Sequence, residues 1–141
     1  MSQENMDRLV RATEAFNRMC ETPEAFNLED LQGFLGIMDS AIQFEPQQAA
    51  LEGGYAGHEG VAQWLADLVE HYAGGHMDLP DIRDLGDRVL ALGTLRVIGR
   101  ASGLETEVPV AVMASFRNGL MTEFRDYGNR DQALEAAGLS E

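Results

Sequence analysis

The sequence predicts an α+β fold with helices packed on one face of an antiparallel sheet. Three observations lead there. Apolar residues recur at helical spacing through the first half of the chain, most cleanly over residues 57–72. After Gly74-Gly75 the period switches to alternation. Gly-containing turns at Ser102-Gly103 and Asn118-Gly119 then divide the second half into strands.

Taken in order, Met6, Leu9, Val10, Thr13, Phe16 and Cys20 mark a first helix capped by Asn5 or Ser2. Thr22-Pro23-Glu24 reads as a second helix start, with Pro at the first helical position. Asn27-Leu28-Glu29-Asp30 opens a short helix ending near Gly36. Residues 37–45 form a strand stopped by Pro46, and 47–54 a loop. The glycine-rich turn from Gly53 leads into the long helix, with Gly57 as N-cap and Glu59 at the positive end of the helix dipole. Val61, Trp64, Leu65, Leu68, Val69 and Tyr72 form its apolar stripe. Strands follow over 76–85, 89–100, 105–117 and 120–127, and a last helix runs from Asp131 to Gly138. One domain spanning residues 1–141 is expected, without repeats or linkers.

Pairing can be counted outward from the turns. A two-residue loop at Ser102-Gly103 sets Arg100 opposite Glu105. One sheet face then carries Val89, Ala91, Gly93, Leu95 and Val97 beside Val108, Val110, Val112, Ala114 and Phe116. The other, with Leu92, Thr94, Arg96 and Ile98 beside Met113, Ala111, Pro109 and Glu107, is mixed. In the next hairpin a two-residue Asn118-Gly119 turn would bury Glu123 and Arg125. A three-residue Arg117-Asn118-Gly119 loop instead turns Leu120, Thr122 and Phe124 inward, and Asp126 with them. Two unpaired buried charges cost several kcal/mol (roughly), so the longer loop is expected.

Composition narrows the function classes. A formal net charge of -14 opposes nucleic-acid and anionic-membrane partners, which call for clustered Lys and Arg. The single cysteine, Cys20, excludes an internal disulfide, and its place on an apolar stripe reads as a buried, inert thiol. No signal peptide or membrane-length apolar run is seen, and a cytoplasmic protein is expected. His71, His76 and Asp78 match no standard ligand spacing, so neither metal nor cofactor is expected.

The small residues Ala91, Gly93 and Ala114 beneath helices leave either a tight helix contact or a cavity. A carboxylate projecting into such a cavity is desolvated and becomes usable in proton transfer, and Asp126 is placed for that role. A salt bridge to Arg125 or Arg130 is the competing account. Trp64 is the first candidate for a ligand-facing wall, opposite Gly93 and Ala114. Tyr55 and His58 stand at the helix start, where they serve a ligand or simply stack and cap.

Several strings carry a family resemblance: Tyr55-Ala56-Gly57-His58-Glu59-Gly60-Val61, Gly86-Asp87-Arg88-Val89, Arg117-Asn118-Gly119, and the closing Ala133-Leu134-Glu135-Ala136-Ala137-Gly138-Leu139. With Glu14-Ala15-Phe16-Asn17 they span nearly the whole chain, which resembles the SnoaL-like polyketide cyclases of the nuclear-transport-factor-2-like superfamily. That superfamily also holds ketosteroid isomerases and limonene-epoxide hydrolases. The resemblance implies a cone, a cystatin-like α+β roll. Its curved antiparallel sheet, a partial barrel, holds helices on the concave face and makes a homodimer through the convex one. It places Glu45, in Phe44-Glu45-Pro46, where ketosteroid isomerases keep their base. Ala12 and Val112 fall where the isomerases keep their oxyanion hole, so that device is missing. Phe124-Arg125-Asp126-Tyr127 is similar to the Arg-Asp-Tyr string of the epoxide hydrolases, whose partner residues fall on Gly93-Thr94-Leu95, Ile42 and Phe44. The resemblance therefore implies a cofactor-free cyclase, isomerase or dehydratase for a polyketide-, terpenoid- or steroid-like molecule. Asp126 and Glu45 are its acid/base candidates, and Trp64, Tyr55, His58, Gly93, Val112, Ala114 and Phe124 its pocket. A non-catalytic binding protein and a dimerisation module with a filled cavity are the alternatives.

Overall fold

The computed structural model describes residues 2–47 and 54–139. Helix α1 (Ser2–Cys20) is followed by a 3-10 turn (Pro23–Ala25), α2 (Leu28–Gly36), β1 (Met38–Glu45), β2 (Tyr55–Ala56) and α3 (Gly57–His71). Strands β3 (Tyr72–Asp84), β4 (Arg88–Gly99), β5 (Glu105–Arg117) and β6 (Leu120–Asp126) lead to α4 (Arg130–Ala136). The six strands form one sheet in the order β2-β1-β6-β5-β4-β3, with β1 and β6 parallel and the other neighbours antiparallel. The expected α+β class is what the chain adopts, with one parallel pair, β1 and β6, in the otherwise antiparallel sheet.

Local chemistry sets the ends of these elements. Asn27 caps α2 by accepting from the Asp30 amide at 2.8 Å, and its own amide donates back to Asp30 Oδ2 at 2.9 Å. That bond, with a smaller contribution from Arg18, holds the Asp30 carboxyl below its ordinary range. Asn5 is not a cap: it lies inside α1, buried, and ties the helix to the β3–β4 turn by donating to the Gly86 carbonyl at 3.3 Å. Ala56, not Gly57, is the N-cap of α3. Gly57 takes φ 72°, and a Cβ there would stand 3.0 Å from the Ser40 carbonyl oxygen. The expected loop over 47–54 lies mostly outside the described residues.

Gly74-Gly75 is not a turn. Both glycines lie buried in β3, paired to Ile98 and Val97, and the strand starts directly at Tyr72. Glycine suits position 74 because a Cβ would crowd the Glu21 carbonyl oxygen at 3.0 Å, just past the end of α1. Pro80 sits in β3 at a register shift between Asp78 and Asp81, the place an edge strand tolerates proline.

Both hairpins differ from the counted pairings while keeping their faces. Across β4 and β5, Ile98 pairs with Glu105 and Arg96 with Glu107, a shift of two residues. The residues sharing each face are unchanged, because two is the sheet's side-chain period. Arg100, freed from the expected pair with Glu105, donates to the Glu70, Val69 and Tyr72 carbonyls and so caps the C-terminal end of α3. Between β5 and β6 the two-residue turn forms after all, with Asn118 at φ 54° and Gly119 at φ 80°. A bulge at Thr122 then restores the parity, setting Ala114 opposite Phe124 and Val112 opposite Asp126. Met121, rather than Leu120 and Thr122, is fully buried before the bulge.

The main core lies between α1, α2, α3 and the inner face of the sheet. Helix α1 packs on β3 and β4, and α3 on β1. Helix α4 lies on the other face, where Ala133 and Leu134 bury Leu90, Leu92, Ala111 and Met113. The apolar half of the mixed face is therefore covered from within the chain.

Candidate functional site

The inner face closes on a small apolar cavity of about 30 Å³. Phe16, Phe34, Phe44, Trp64 and Phe124 supply aromatic walls, and Met38, Met77 and Met121 fill the gaps between them. Leu9, Ala12 and Thr13 of α1 complete the lining. Trp64 stacks on Phe16 at 5.8 Å and meets Phe44 at 4.9 Å and 58°. Phe44 in turn stacks on Phe124 at 4.7 Å. The rings thus run as a continuous chain from α1 through α3 and β1 to β6.

Polar contacts around the cavity hold its walls. Asn17 clamps the Met77 backbone from both sides, donating to its carbonyl at 2.9 Å and accepting from its amide at 2.7 Å. The half-buried His58 ring binds the Met38 carbonyl through Nε2 at 2.9 Å, fixing the start of α3 to β1. The Thr13 hydroxyl donates to the Leu9 carbonyl at 2.9 Å, leaving its lone pairs as the one side-chain oxygen acceptor in the lining, beside the weakly accepting methionine sulfurs. The Trp64 indole nitrogen is buried without any hydrogen-bond partner. Leaving a buried donor unpaired costs about 1–3 kcal/mol.

A volume of 30 Å³ is enough for a water molecule. It falls well short of the roughly 300 Å³ at which small-molecule sites begin. A ligand must therefore displace side chains, and the three methionines are suited to that, being unbranched and polarizable. The cavity has no charged group in its lining, so as it stands it can exclude water and grip a flat apolar surface, but it cannot transfer a proton.

The sequence-derived site residues divide accordingly. Trp64 and Phe124 line the cavity. Trp64, however, faces Phe16 and Phe44 rather than Gly93 and Ala114, because α3 sits over β1 and not over the centre of the sheet. Val112 and Ala114 are fully buried behind the lining. Gly93 serves the backbone: a Cβ there would lie 1.9 Å from the Asp78 carbonyl oxygen at the β3 bulge. Tyr55 borders a separate outer pocket of about 220 Å³ with Trp64, Asp67, Leu68, His71 and Tyr72.

Neither carboxylate lines the cavity. Asp126 Oδ1 accepts from the Ala111 and Gly128 amides at 3.0 and 2.9 Å, and Oδ2 from Gln47 at 3.1 Å. It holds the end of β6 against β5 and the segment after β1. The competing salt-bridge account of Asp126 is thus replaced by amide donors. Glu45 points to the face opposite Phe44, where it pairs with Arg125 at 3.6 Å, and Arg125 lies over the Tyr127 ring at 4.8 Å. Arg96 pairs with Glu105 at 3.3 Å. Cys20 is buried, and burial pushes its thiol up to about 12. Among the described residues no group of three His, Cys, Asp or Glu is placed to hold a metal, and no helix is long and apolar enough to cross a membrane.

Phe16, Phe34, Phe44 and the three methionines were not legible as site residues. Their spacing marks them as core, and only the assembled sheet and helices show that this part of the core is incompletely filled.

Residues 17–124 match the family model of the SnoaL-like domain. The chain belongs to the SnoaL-like domain family. Solved structures similar to this SnoaL-like chain share its fold at low identity. One is a nuclear-transport-factor-2-like protein of unknown function from Burkholderia pseudomallei, 22% identical over 94% of this chain and 95% of that one, with TM-score 0.74. Another is TerC, co-crystallised with polyporic acid, 20% identical over 96% and 98%, with TM-score 0.73. A third is a putative polyketide cyclase from Xanthomonas campestris pv. campestris, 18% identical over 96% and 98%, with TM-score 0.71. No curated protein sequence matches the chain.

Proposed function

We propose that this SnoaL-like domain binds a small, flat, hydrophobic molecule in the cavity between α1, α3 and β1–β6. One observation carries the reading: the void is walled by aromatic rings and methionines, with no ionisable side chain among them. Such walls reward apolar contact and adapt to its shape. Trp64 is the chain's single tryptophan and lines the cavity, so its fluorescence reports occupancy directly. Titration with naphthalene-sized aromatics, and with polyporic acid after the example of TerC, should give a saturable change in emission. Emission that stays constant to the solubility limit of every compound defeats the proposal.

A second reading keeps the acid/base chemistry implied by the family, an aldol-type cyclisation, isomerisation or dehydration. It is favoured by one relationship: Asp126 follows Phe124 on the same face of β6, opposite Val112. A substrate longer than the cavity would run past Phe124 toward that carboxylate. Under this reading Asp126→Asn spares binding and abolishes turnover, whereas under simple binding no turnover exists to lose. A homodimer would use the outer face of the sheet where α4 leaves Thr94, Arg96 and Pro109 uncovered. Its check is the mass in sedimentation equilibrium.

A further inference from the structure

We infer that the Trp64 indole N–H is the donor that orients the bound molecule, and that this molecule therefore carries a carbonyl-type acceptor on its edge. The inference rests on the binding reading above and adds the chemistry that selects among apolar ligands.

Trp64 is 5% exposed, and its Nε1 is a buried side-chain polar atom that finds no partner. Buried polar atoms are nearly always hydrogen-bonded, and an exception at a cavity wall points to a partner that arrives from elsewhere. Among the described residues the surroundings offer none. Phe16 and Phe44 pack against the indole as rings. The outer pocket that Trp64 also borders includes Asp67 and His71, yet the Asp67 carboxylate accepts from Gln63 at 2.9 Å and His71 Nδ1 binds the Asp67 carbonyl at 2.8 Å. Neither reaches the indole nitrogen.

The rest of the lining sharpens the choice of ligand. Apart from Trp64, the polar side chain in the wall is Thr13, whose proton is already given to the Leu9 carbonyl. The residues of the wall therefore include one unpartnered donor and no cation. A flat ketone matches that inventory. A carboxylate does not, because the lining holds no positive charge to offset its desolvation.

The test uses a shape-matched pair, 1-indanone and indane. In the native protein, calorimetry should show the ketone favoured, and the single indole Hε1 resonance should move downfield with the ketone and far less with the hydrocarbon. Trp64→Phe keeps an aromatic wall and removes the donor, so the ketone-to-hydrocarbon affinity ratio should fall about tenfold, the worth of one buried hydrogen bond. Should Trp64→Phe fail to fold, the resonance of the native protein decides alone. Binding of both compounds with an unchanged ratio, or with an unmoved Hε1, overturns the inference while leaving the cavity reading intact. That result would mean a water satisfies the indole. Binding of neither overturns both.

Discussion

Phe44 and Phe124 stack with ring centroids 4.7 Å apart and planes 17° from parallel, across the junction where β1 runs parallel to β6. This contact joins the first strand of the chain to its last, and it forms one wall of the cavity.

Phe44 is almost wholly buried, so Phe44→Ala removes both the stack and the Trp64 contact. Its expected cost is about 3–5 kcal/mol. Phe124 is only half-buried, and Phe124→Ala should cost distinctly less while still enlarging the cavity. Urea unfolding of both variants checks the order. A Phe124 variant as unstable as the Phe44 variant would contradict it.

Asp126 stabilises the end of β6 through three accepted hydrogen bonds. Asp126→Ala leaves two backbone amides without that acceptor and should destabilise by about 2–3 kcal/mol. Asp126→Asn retains one oxygen toward those amides, and about 1 kcal/mol or less is expected. Equal losses for the two variants, read from thermal melts, would show that the bonds to Ala111 and Gly128 matter little.

Gly93 leaves no room for a side chain. A methyl group at this position would stand 1.9 Å from the Asp78 carbonyl oxygen and 2.9 Å from its carbon, so the β3 bulge itself must move. Gly93→Ala should lose about 3 kcal/mol or more. A denaturation midpoint equal to the native one would mean the bulge rearranges freely.

Cys20 holds its proton because burial disfavours the thiolate, with a pKa raised from the ordinary 9.0 to about 12. A raised folded value gives stability that is full below about 9 and is lost as pH climbs toward about 12. Cys20→Ala should flatten that alkaline decline. In the native chain the thiol should resist aromatic disulfide reagents at neutral pH and react at once in denaturant, and rapid native labelling would contradict its burial.

Much of the fold was legible because side-chain period survives errors of register. The β4–β5 pairing differs by two residues from the counted one, yet Ala91, Val110, Val112 and Ala114 still share the inner face. The β5–β6 turn and the bulge at Thr122 likewise cancel, so Phe124 and Asp126 reach the expected face by a different route. Gly74-Gly75 was misread as a turn because a glycine pair has the same sequence signature whether it bends the chain or clears room for a crossing helix. Of the site, Trp64 and Phe124 were legible. Phe16, Phe34 and Met121 were not, since a residue lining a void and one filling a core share the same spacing.

By itself the sequence determined the α+β class, the order of the helices and of the five longer strands, and the partition of side chains between the two sheet faces, because these follow from local period and turn chemistry; β2, only two residues long, has no period to read. Tertiary structure alone decided three things. Helix α3 lies over β1 while α1 lies over β3 and β4, so Trp64 meets Phe44 instead of Gly93. Asp126 points along the sheet into the Ala111 and Gly128 amides, where a carboxylate at a strand end finds donors that an apolar cavity lacks. The packing of rings from five elements leaves about 30 Å³ unfilled, with one indole N–H unpaired. Volume and unsatisfied valence are sums over residues distant in the chain, and only their meeting in space fixes them.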